Sequence, residues 1–508
     1  MSSLKKHPLI TGTIILTLTG MVTRIMGFFY RIFLSHTIGA EGLGIYQLIF
    51  PVYALCFALS TAGIQTGISR CASSSFARNN PGRARMYFSS GFFLSLFLSV
   101  GISLLLHRYA DVISSLILEE PRCAPLFRLI SWSIPLGAIH SCISAWYFAR
   151  KETKIPSLSQ FVEQLARIFT SFIIYLIFTE KGMKPTPLLA AAGLFAGELV
   201  SSLFSSLCIL LDFQHNSFRT EENSSVSFYL GCTGKLLTLS LPLTANRVLL
   251  TLLQSAEAVM IPASLKKYGL SASQSLSIYG ILTGMALPFI LFPSAITNSL
   301  STMLLPAIAG EQAQGNSKKI ISSTEKTMKY CLLLGIFSGG IFFFFGDALG
   351  MTIYQNKDAG TFMRILSFLC PFLYLTGTMS SILNGLGHTF LCFLQNAVGL
   401  SIRILFVIFA VPQVGIQGYL WGLLSSQLVI TVLNYIFVRQ KVSFTFYPVA
   451  WILFPVFLLL ISCGLGLAAF SLCYRYFPPL VCLMIALGIC GISYVLFLIQ
   501  TKQIHISS

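Results

Sequence analysis

The sequence predicts an all-α polytopic membrane protein with about 14 transmembrane helices. Of its 508 residues, 55% are hydrophobic and only 10% are charged, whereas a soluble globular chain averages about 25% charged residues. The apolar runs are continuous and roughly 20 residues long, which is the length that a helix needs to cross a bilayer. A membrane β-barrel is excluded because its strands would be shorter and would alternate between apolar and polar residues.

The hydrophobic runs predict the position of each span. The N-terminal run follows Lys5 and Lys6 but is not followed by a small-residue cleavage site, so we expect it to be retained as the first span. The longest polar stretch, 212–234, is too short to form a core of its own. The predicted spans are 9–35, 45–69, 86–107, 127–148, 157–179, 187–211, 235–262, 276–306, 326–346, 362–384, 389–411, 415–438, 447–473 and 479–500.

The distribution of charge predicts the orientation of the chain. With a cytoplasmic N-terminus, roughly 18 lysines and arginines lie on the cytoplasmic side of the membrane and roughly 10 on the outer side. Because positive charge is enriched on the cytoplasmic side, we expect a protein of the cytoplasmic membrane with both termini in the cytoplasm. The net charge of +17 is explained by this bias and by attraction to anionic membrane lipid, so no nucleic-acid partner is predicted. The 13 cysteines contain no CxxC pair, and neither a disulfide framework nor a metal site is predicted.

A weak internal repeat predicts two lobes. The first span contains TGMVTRIMGFFYRI and the seventh LPLTANRVLLTLLQ, and aligning Arg24 with Arg247 places Arg31 on Gln254. Six spans separate the copies, so both halves have the same topology, which indicates a parallel repeat. The predicted domains are a six-helix lobe at 1–232, a second at 233–440, and two additional helices at 441–508.

Two arginines lie within the first span. An arginine near the bilayer centre costs roughly 2.5–3.5 kcal/mol on insertion scales, which favours a functional role for Arg24 and Arg31. They are seven residues apart, close to two helical turns, so both point to the same side. A cationic stripe of this kind is suited to an anionic ligand, and by the repeat Arg247 and Gln254 are predicted to bind the same substrate.

Five more charged residues lie within spans and are predicted to serve coupling or charge balance. Glu163 and Arg167 have the i, i+4 spacing of an intrahelical ion pair. Glu198 and Arg403 stand alone on their helices, and Glu257 follows Arg247 by ten residues. There is no GxxxxGK[ST] sequence for nucleotide binding, and no set of outer-loop carboxylates suited to sugar transfer, so neither a cofactor nor an enzymatic activity is predicted.

Two stretches of the sequence match a known family pattern: TGMVTRIMGFFYRIFLSHTIGAEGLGIYQL in the first two spans, and SILNGLGHTF followed by VGIQGYLWGLL. The matching residues are Gly20, Thr23, Arg24, Gly27, Arg31, Ile38, Gly39, Glu41, Gly42, Gly44, Tyr46, Asn384, Gly385, Gly387, Gly415 and Gly418. In these residues the chain resembles the stage V sporulation protein B group of polysaccharide and lipid-linked oligosaccharide exporters. This group belongs, with the lipid II flippases, to the multidrug/oligosaccharidyl-lipid/polysaccharide exporter superfamily.

The resemblance implies two six-helix lobes around a central cavity, with first-helix arginines, here Arg24 and Arg31, meeting the pyrophosphate of a lipid-linked glycan. It also implies that the last two helices border a groove for the lipid tail. The leading hypothesis is therefore a flippase for an undecaprenyl-pyrophosphate-linked wall or polysaccharide precursor, with wall-synthesis proteins as possible partners. The alternatives are a cation-coupled multidrug exporter of the same superfamily, and a membrane-embedded enzyme or scaffold of wall assembly.

Overall fold

The computed structural model describes residues 8–215, 226–501 and 503. Across these residues every regular element is helical, which confirms the predicted all-α class. Eleven of the described helices are long and apolar enough to cross a membrane, and up to thirteen are if each bent helix pair is one span. The count of fourteen stays a prediction, because it requires the 63-residue helical stretch 15–77 to cross twice.

The described residues form two compact units, one up to Ala263 and one from Ser264 onward. The whole of the seventh predicted span, 235–262, groups with the first unit, and the predicted lobe boundary at 232 stays a prediction. The α-helices that begin in the first unit are α1 (Pro8–Phe57), α2 (Gly63–Ala77), α3 (Pro81–Arg108), α4 (Ala110–Val112), α5 (Ala124–Ile130), α6 (Ser133–Ala149), α7 (Lys154–Glu180), α8 (Leu188–His215) and α9 (Val226–Lys267).

The loop expected between the first two spans is replaced by a kink at one residue. Helix α1 continues through both spans, and within it only Gly39 leaves helical geometry, with φ 68° and ψ −178°. This is the left-handed side of the backbone map, which glycine adopts without the clash that a Cβ would cause. The second span then passes through a π-helical turn at Ala58–Ala62 before α2 begins.

The core of the first unit forms where α2, α3, α6 and the end of α8 meet. Trp146 is fully buried, and its ring lies 5.4 Å from that of Phe88 and 5.5 Å from that of Phe213. Aromatic rings at this separation add a favourable contact to the area that they bury. This cluster fixes α6 against α8, the two helices that carry His140 and Glu198.

The described part of the second unit contains eleven further α-helices. Two predicted spans are bent pairs rather than straight helices: α14 meets α15 at 55°, and in the first unit α5 meets α6 at 42°. The helices are α10 (Ala272–Gly280), α11 (Leu287–Leu291), α12 (Ser294–Ala313), α13 (Ser317–Tyr354), α14 (Lys357–Leu366), α15 (Leu369–Gly385), α16 (Thr389–Phe409), α17 (Val411–Val414), α18 (Ile416–Lys441), α19 (Phe454–Cys473) and α20 (Pro479–Gln500).

Helix α13 holds the second unit together. One buried cluster joins it to α12, α15 and α18, and a second joins it to α19 and α20. In the second cluster the rings of Phe337 and Tyr494 stack with centroids 5.2 Å apart. Gly340 allows α19 to approach closely, because a Cβ there would lie 2.4 Å from a methyl of Leu459. The two C-terminal helices therefore pack on the core of this unit.

Candidate functional site

A cavity of about 560 Å³ lies in the first unit, between α9 and the second half of α1. Most of its lining is apolar, and Arg247 contributes the charge. The π-helical turn of the second span forms part of the wall, and such turns often occur at functional sites. The lining residues are Phe50, Tyr53, Ala54, Phe57, Ala58, Ala62, Arg247, Leu250, Thr251 and Gln254.

Contacts between antiparallel helices flank the cavity at both ends. At one end Ser255 Oγ donates a hydrogen bond of 2.9 Å to the carbonyl of Pro51. At the other end α2 approaches α9 so closely that a Cβ on Gly63 would lie 1.8 Å from Thr244 Oγ1. One turn further, a Cβ on Gly67 would lie 2.2 Å from the hydroxyl oxygen of Ser240. The spacing GIQTG is a small-xxx-small motif, which lets membrane helices pack at short range.

Arg247 and Gln254, aligned by the repeat with Arg24 and Arg31, share the wall of this cavity. Both side chains are exposed, and they lie seven residues apart on one face of α9. Arg247 has no hydrogen-bond or ion-pair partner for its guanidinium among the residues that the structure describes. Glu257 lies on the same helix, but it is only 5% exposed and is already engaged in an interaction.

The two arginines of the first span differ in environment. Arg24 is exposed, and within the described part of the chain its guanidinium also has no partner. Arg31 is half-buried, is already engaged and acts electrostatically on Tyr46. The face of α1 that includes Thr23 and Tyr30 is buried, and a side-chain hydrogen bond of 2.8 Å joins Tyr30 to Ser171 of α7. Arg24 therefore lies beside the packed face of α1 and remains available to a ligand.

A second polar site, which we call the acid cluster, consists of His140, Glu163, Arg167 and Glu198. Glu163 and Arg167 form the ion pair that their spacing predicts. Glu198 finds its partners on other helices: His140 Nε2 lies 3.0 Å from Glu198 Oε2, and the hydroxyl of Tyr53 donates to Glu198 Oε1 at 3.3 Å. The acid cluster therefore draws on α6, α7 and α8 and contacts α1.

Two glycines of α8 explain why these charges meet. A Cβ on Gly193 would lie 2.1 Å from Ser171 Oγ, and a Cβ on Gly197 would lie 2.9 Å from the carbonyl of Glu163. The absence of side chains at these positions lets the backbones of α7 and α8 approach, and Glu198 follows directly. On α6, Gly137 leaves room for the carboxylate, because a Cβ there would lie 3.2 Å from Glu198 Oε2.

The acid cluster is better suited to a proton than to a metal ion. His140, Glu163 and Glu198 each offer one nitrogen or oxygen, and these atoms lie within 4.8 Å of one another. Arg167 already binds the Glu163 carboxylate, however, and a guanidinium so close repels any second cation. No resident metal or cofactor is therefore assigned to these residues.

Sequence reasoning identified the charged residues but missed two participants. His140 and Tyr53 were not singled out, because their roles depend on helix packing that no local motif reports. Gly137 and His140 lie three residues apart on α6, but this spacing indicates a polar site only once α8 is known to pack against that face. Arg403, in the second unit, is half-buried and engaged in an interaction of its own.

The second unit contains an apolar groove of about 680 Å³ between α13, α15, α18 and the start of α19. Its wall is composed almost entirely of aliphatic and aromatic side chains, among them Ile336, Phe343 and Leu459. Two adjacent glycines of α13, at 339 and 340, also line it. A surface of this kind accepts a hydrocarbon chain but offers little to a charged group.

These features are those of a polytopic membrane protein with two helical units. One unit contains a cavity whose arginine has no partner among the described residues, and the other contains an apolar groove. Residues 9–312 match the family model described as polysaccharide biosynthesis protein, and the chain belongs to this family. It is 27% identical over 435 residues to stage V sporulation protein B of Bacillus subtilis, covering 84% of this chain and 83% of that protein. It is 21% identical to the lipid II flippase MurJ of the same organism, covering 64% of this chain and 62% of that protein.

Solved structures show the same fold. The lipid II flippase MurJ in an inward closed conformation superposes with a TM-score of 0.68 at 15% identity, covering 96% of this chain and all of that one. A multidrug resistance MATE family transporter of the MOP superfamily, in an inward-facing conformation, superposes with a TM-score of 0.64 at 14% identity, covering 85% and 98%. The chain is thus a multi-pass membrane protein of the polysaccharide biosynthesis protein family, and it has the fold of these two transporters.

Proposed function

We propose that the protein flips an undecaprenyl-pyrophosphate-linked cell-wall or polysaccharide precursor across the cytoplasmic membrane by alternating access. The observation that carries this proposal is the pair of span arginines, Arg24 and Arg247, that have no partner among the described residues. An unpaired cation within a membrane protein is costly, and an anionic substrate would offset that cost during each cycle.

Arginine suits a pyrophosphate for chemical reasons. Its planar guanidinium offers five N–H donors in a fork that matches phosphate oxygens, and it stays charged at any physiological pH. Charge-assisted hydrogen bonds of this type are roughly twice as strong as neutral ones. Arg247 would bind the phosphates within the cavity, with Gln254 donating an amide hydrogen bond, while Arg24 and Arg31 would bind them from the first span.

The apolar groove of the second unit would hold part of the prenyl chain. Its lining by Ile336, Phe343 and Leu459 matches a hydrocarbon, and burial of each CH₂ group contributes about 0.8 kcal/mol. From Tyr447 to Ile499 the chain carries a single charged residue, Arg475, which leaves the C-terminal helices compatible with a lipid tail. The head group and the tail would then be recognised by different units.

The membrane potential would supply driving force. An inside-negative potential moves anions outward with a gain of about 2.3 kcal/mol per charge per 100 mV. A pyrophosphate head group with two charges would gain about twice as much. We expect flipping to accelerate when a potential of this sign is imposed on proteoliposomes, and to need no nucleotide.

The test is translocation of a labelled undecaprenyl-pyrophosphate sugar in proteoliposomes containing wild-type protein or Arg247→Ala. Loss of one charge-assisted contact of about 1.5–3 kcal/mol should reduce flipping about tenfold to a hundredfold. Arg439→Ala is the matched control, because Arg439 is exposed at the end of α18, outside the cavity. Wild-type protein that exports organic cations but moves no lipid-linked sugar would contradict the proposal and favour multidrug export.

The proposed orientation has its own test. In a background without reactive native cysteines, Ser443→Cys should react with a membrane-impermeant maleimide only from the cytoplasmic side, and Met183→Cys only from outside. Both positions are exposed, so accessibility to the reagent is decided by the membrane side. Reaction of Ser443→Cys from the outer side would overturn the assignment of cytoplasmic termini. As partners we propose the wall-synthesis enzymes that would supply and consume the lipid-linked glycan.

A further inference from the structure

The acid cluster has an uncompensated charge. Glu163 and Glu198 contribute two negative charges, Arg167 contributes one positive charge, and His140 is neutral unless protonated. Glu198 is only 8% exposed. A buried carboxylate in excess of its counter-ions is expensive in a low-dielectric interior. One additional positive charge would balance the acid cluster.

The geometry provides a place for that charge. His140 Nε2 and Glu198 Oε2 are 3.0 Å apart, so a proton on either group would lie against the other and would pair an imidazolium with the carboxylate or neutralise the carboxylate directly. The charged groups that act on His140 are Glu198 of α8, and Glu163 and Arg167 of α7. From α1, the hydroxyl of Tyr53 faces the second oxygen of Glu198.

Tyr53 connects this pair to the cavity that contains Arg247. Its hydroxyl contacts Glu198 while the residue lines the cavity wall. When the His140–Glu198 pair loses its proton, the wall of the cavity gains a nearby negative charge, which opposes the binding of an anion. When the pair is protonated, the opposition is removed.

We propose that the His140–Glu198 pair is a proton site that controls the affinity of the Arg247 cavity for its anionic ligand. The proton comes from water, is shared by the imidazole and the carboxylate, and returns to water when the anion leaves. Because linkage is reciprocal, binding of the anion promotes uptake of the proton by the same factor. The inference rests on the proposed function only in taking the ligand to be a phosphate anion.

The test uses full-length purified protein and inorganic pyrophosphate as the probe, with calorimetric binding between about pH 5.5 and 8, the range in which an unperturbed histidine titrates. Wild-type affinity should be about five- to fiftyfold higher at the acidic end than at the basic end, a typical range for coupled sites. Pyrophosphate itself titrates in this range, but it does so equally for every variant, so the comparison between variants isolates the contribution of the protein.

Two substitutions should act in opposite directions. Glu198→Gln removes the excess charge, so binding should be tight and should show only the pH dependence of the probe. His140→Gln cannot hold the proton on imidazole, so binding should be weak over the same range. His107→Gln, which changes a histidine at the end of α3, should behave as wild type. Wild-type pH dependence in both Glu198→Gln and His140→Gln would overturn the proposal, as would an affinity that follows sodium concentration at fixed pH.

A measurement without ligand separates this inference from the proposed function. The melting temperature of wild-type protein should change with pH over the same range, and the His140→Gln profile should lose the part that one titrating site contributes. If pyrophosphate binds to no variant but the melting profiles differ in this way, the proton site is supported and the hypothesis of an anionic substrate is contradicted. Parallel profiles for wild type and His140→Gln would refute the proton site whatever the ligand is.

Discussion

Arg24→Ala is expected to reduce lipid flipping to the level of protein-free liposomes. Arg24 lies within the first span, is exposed and has no partner among the described residues, so its removal disturbs no internal contact. Binding of the substrate would be weakened, because its phosphate would have one guanidinium partner fewer at a depth where water is scarce. Arg24→Lys should restore only part of the rate, because an ammonium keeps the charge but cannot form a two-pronged contact with phosphate.

The measurement is the initial rate of head-group translocation at equal protein incorporation for wild type, Arg24→Ala and Arg24→Lys. The matched control is again Arg439→Ala, which removes an exposed arginine from α18. Full activity in Arg24→Ala would remove the first span from the binding site and leave Arg247 as the anchoring cation. Equal rates for alanine and lysine would argue that geometry, rather than charge, is what the site requires.

Gly63→Val should be comparably severe, through packing rather than charge. A Cβ at this position would lie 1.8 Å from Thr244 Oγ1 and 2.8 Å from the carbonyl of Ser240, so α2 and α9 could no longer touch. In the proposed alternating-access cycle this contact would have to form and to separate. Overpacking costs about 1–3 kcal/mol, enough to change the ratio of closed to open states about fivefold to more than a hundredfold. Flipping should fall by a factor in the same range, about fivefold to more than a hundredfold, while the protein remains folded.

A double substitution distinguishes this mechanism from misfolding. Gly63→Ala introduces the smallest clash, and Thr244→Ala removes the hydroxyl that it meets. The double variant should recover part of the activity, since the Ser240 carbonyl still lies in the way. Gly101→Ala serves as the control, because nothing lies within 4 Å of a Cβ there. Absence of any effect in Gly63→Val would mean that the α2–α9 contact plays no part in the cycle.

The sequence predicted interactions within one helix better than those between helices. The Glu163–Arg167 pair follows from i, i+4 spacing, and it forms. The same reasoning left Glu198 alone on its helix, although His140 and Tyr53 reach it, because their approach depends on Gly137, Gly193 and Gly197 being in contact with other backbones. Contacts of this kind between helices produce no periodic pattern of residues along the sequence.

Helix breaks were also difficult to predict. The run around Gly39 contains several glycines and was expected to be a loop, yet a single residue carries the whole change of direction. The two bent pairs, by contrast, lie in runs apolar enough to be taken for straight spans. Hydropathy indicates whether a segment is apolar enough for the bilayer. It contains little information on how that segment bends, because bending depends on a few backbone hydrogen bonds.

The kink at Gly39 has a mechanical consequence. The two segments of α1 are joined at one residue, which has only two soft torsions, so we expect a tilt of the segment that contains Arg24 to move the segment that contains Tyr53. A flexible loop at the same place would absorb such a tilt. Insertion of a few glycines at Gly39 should therefore leave both segments folded but make their motions independent. Such a variant would separate ligand binding at the segment that contains Arg24 from rearrangement of the segment that contains Tyr53.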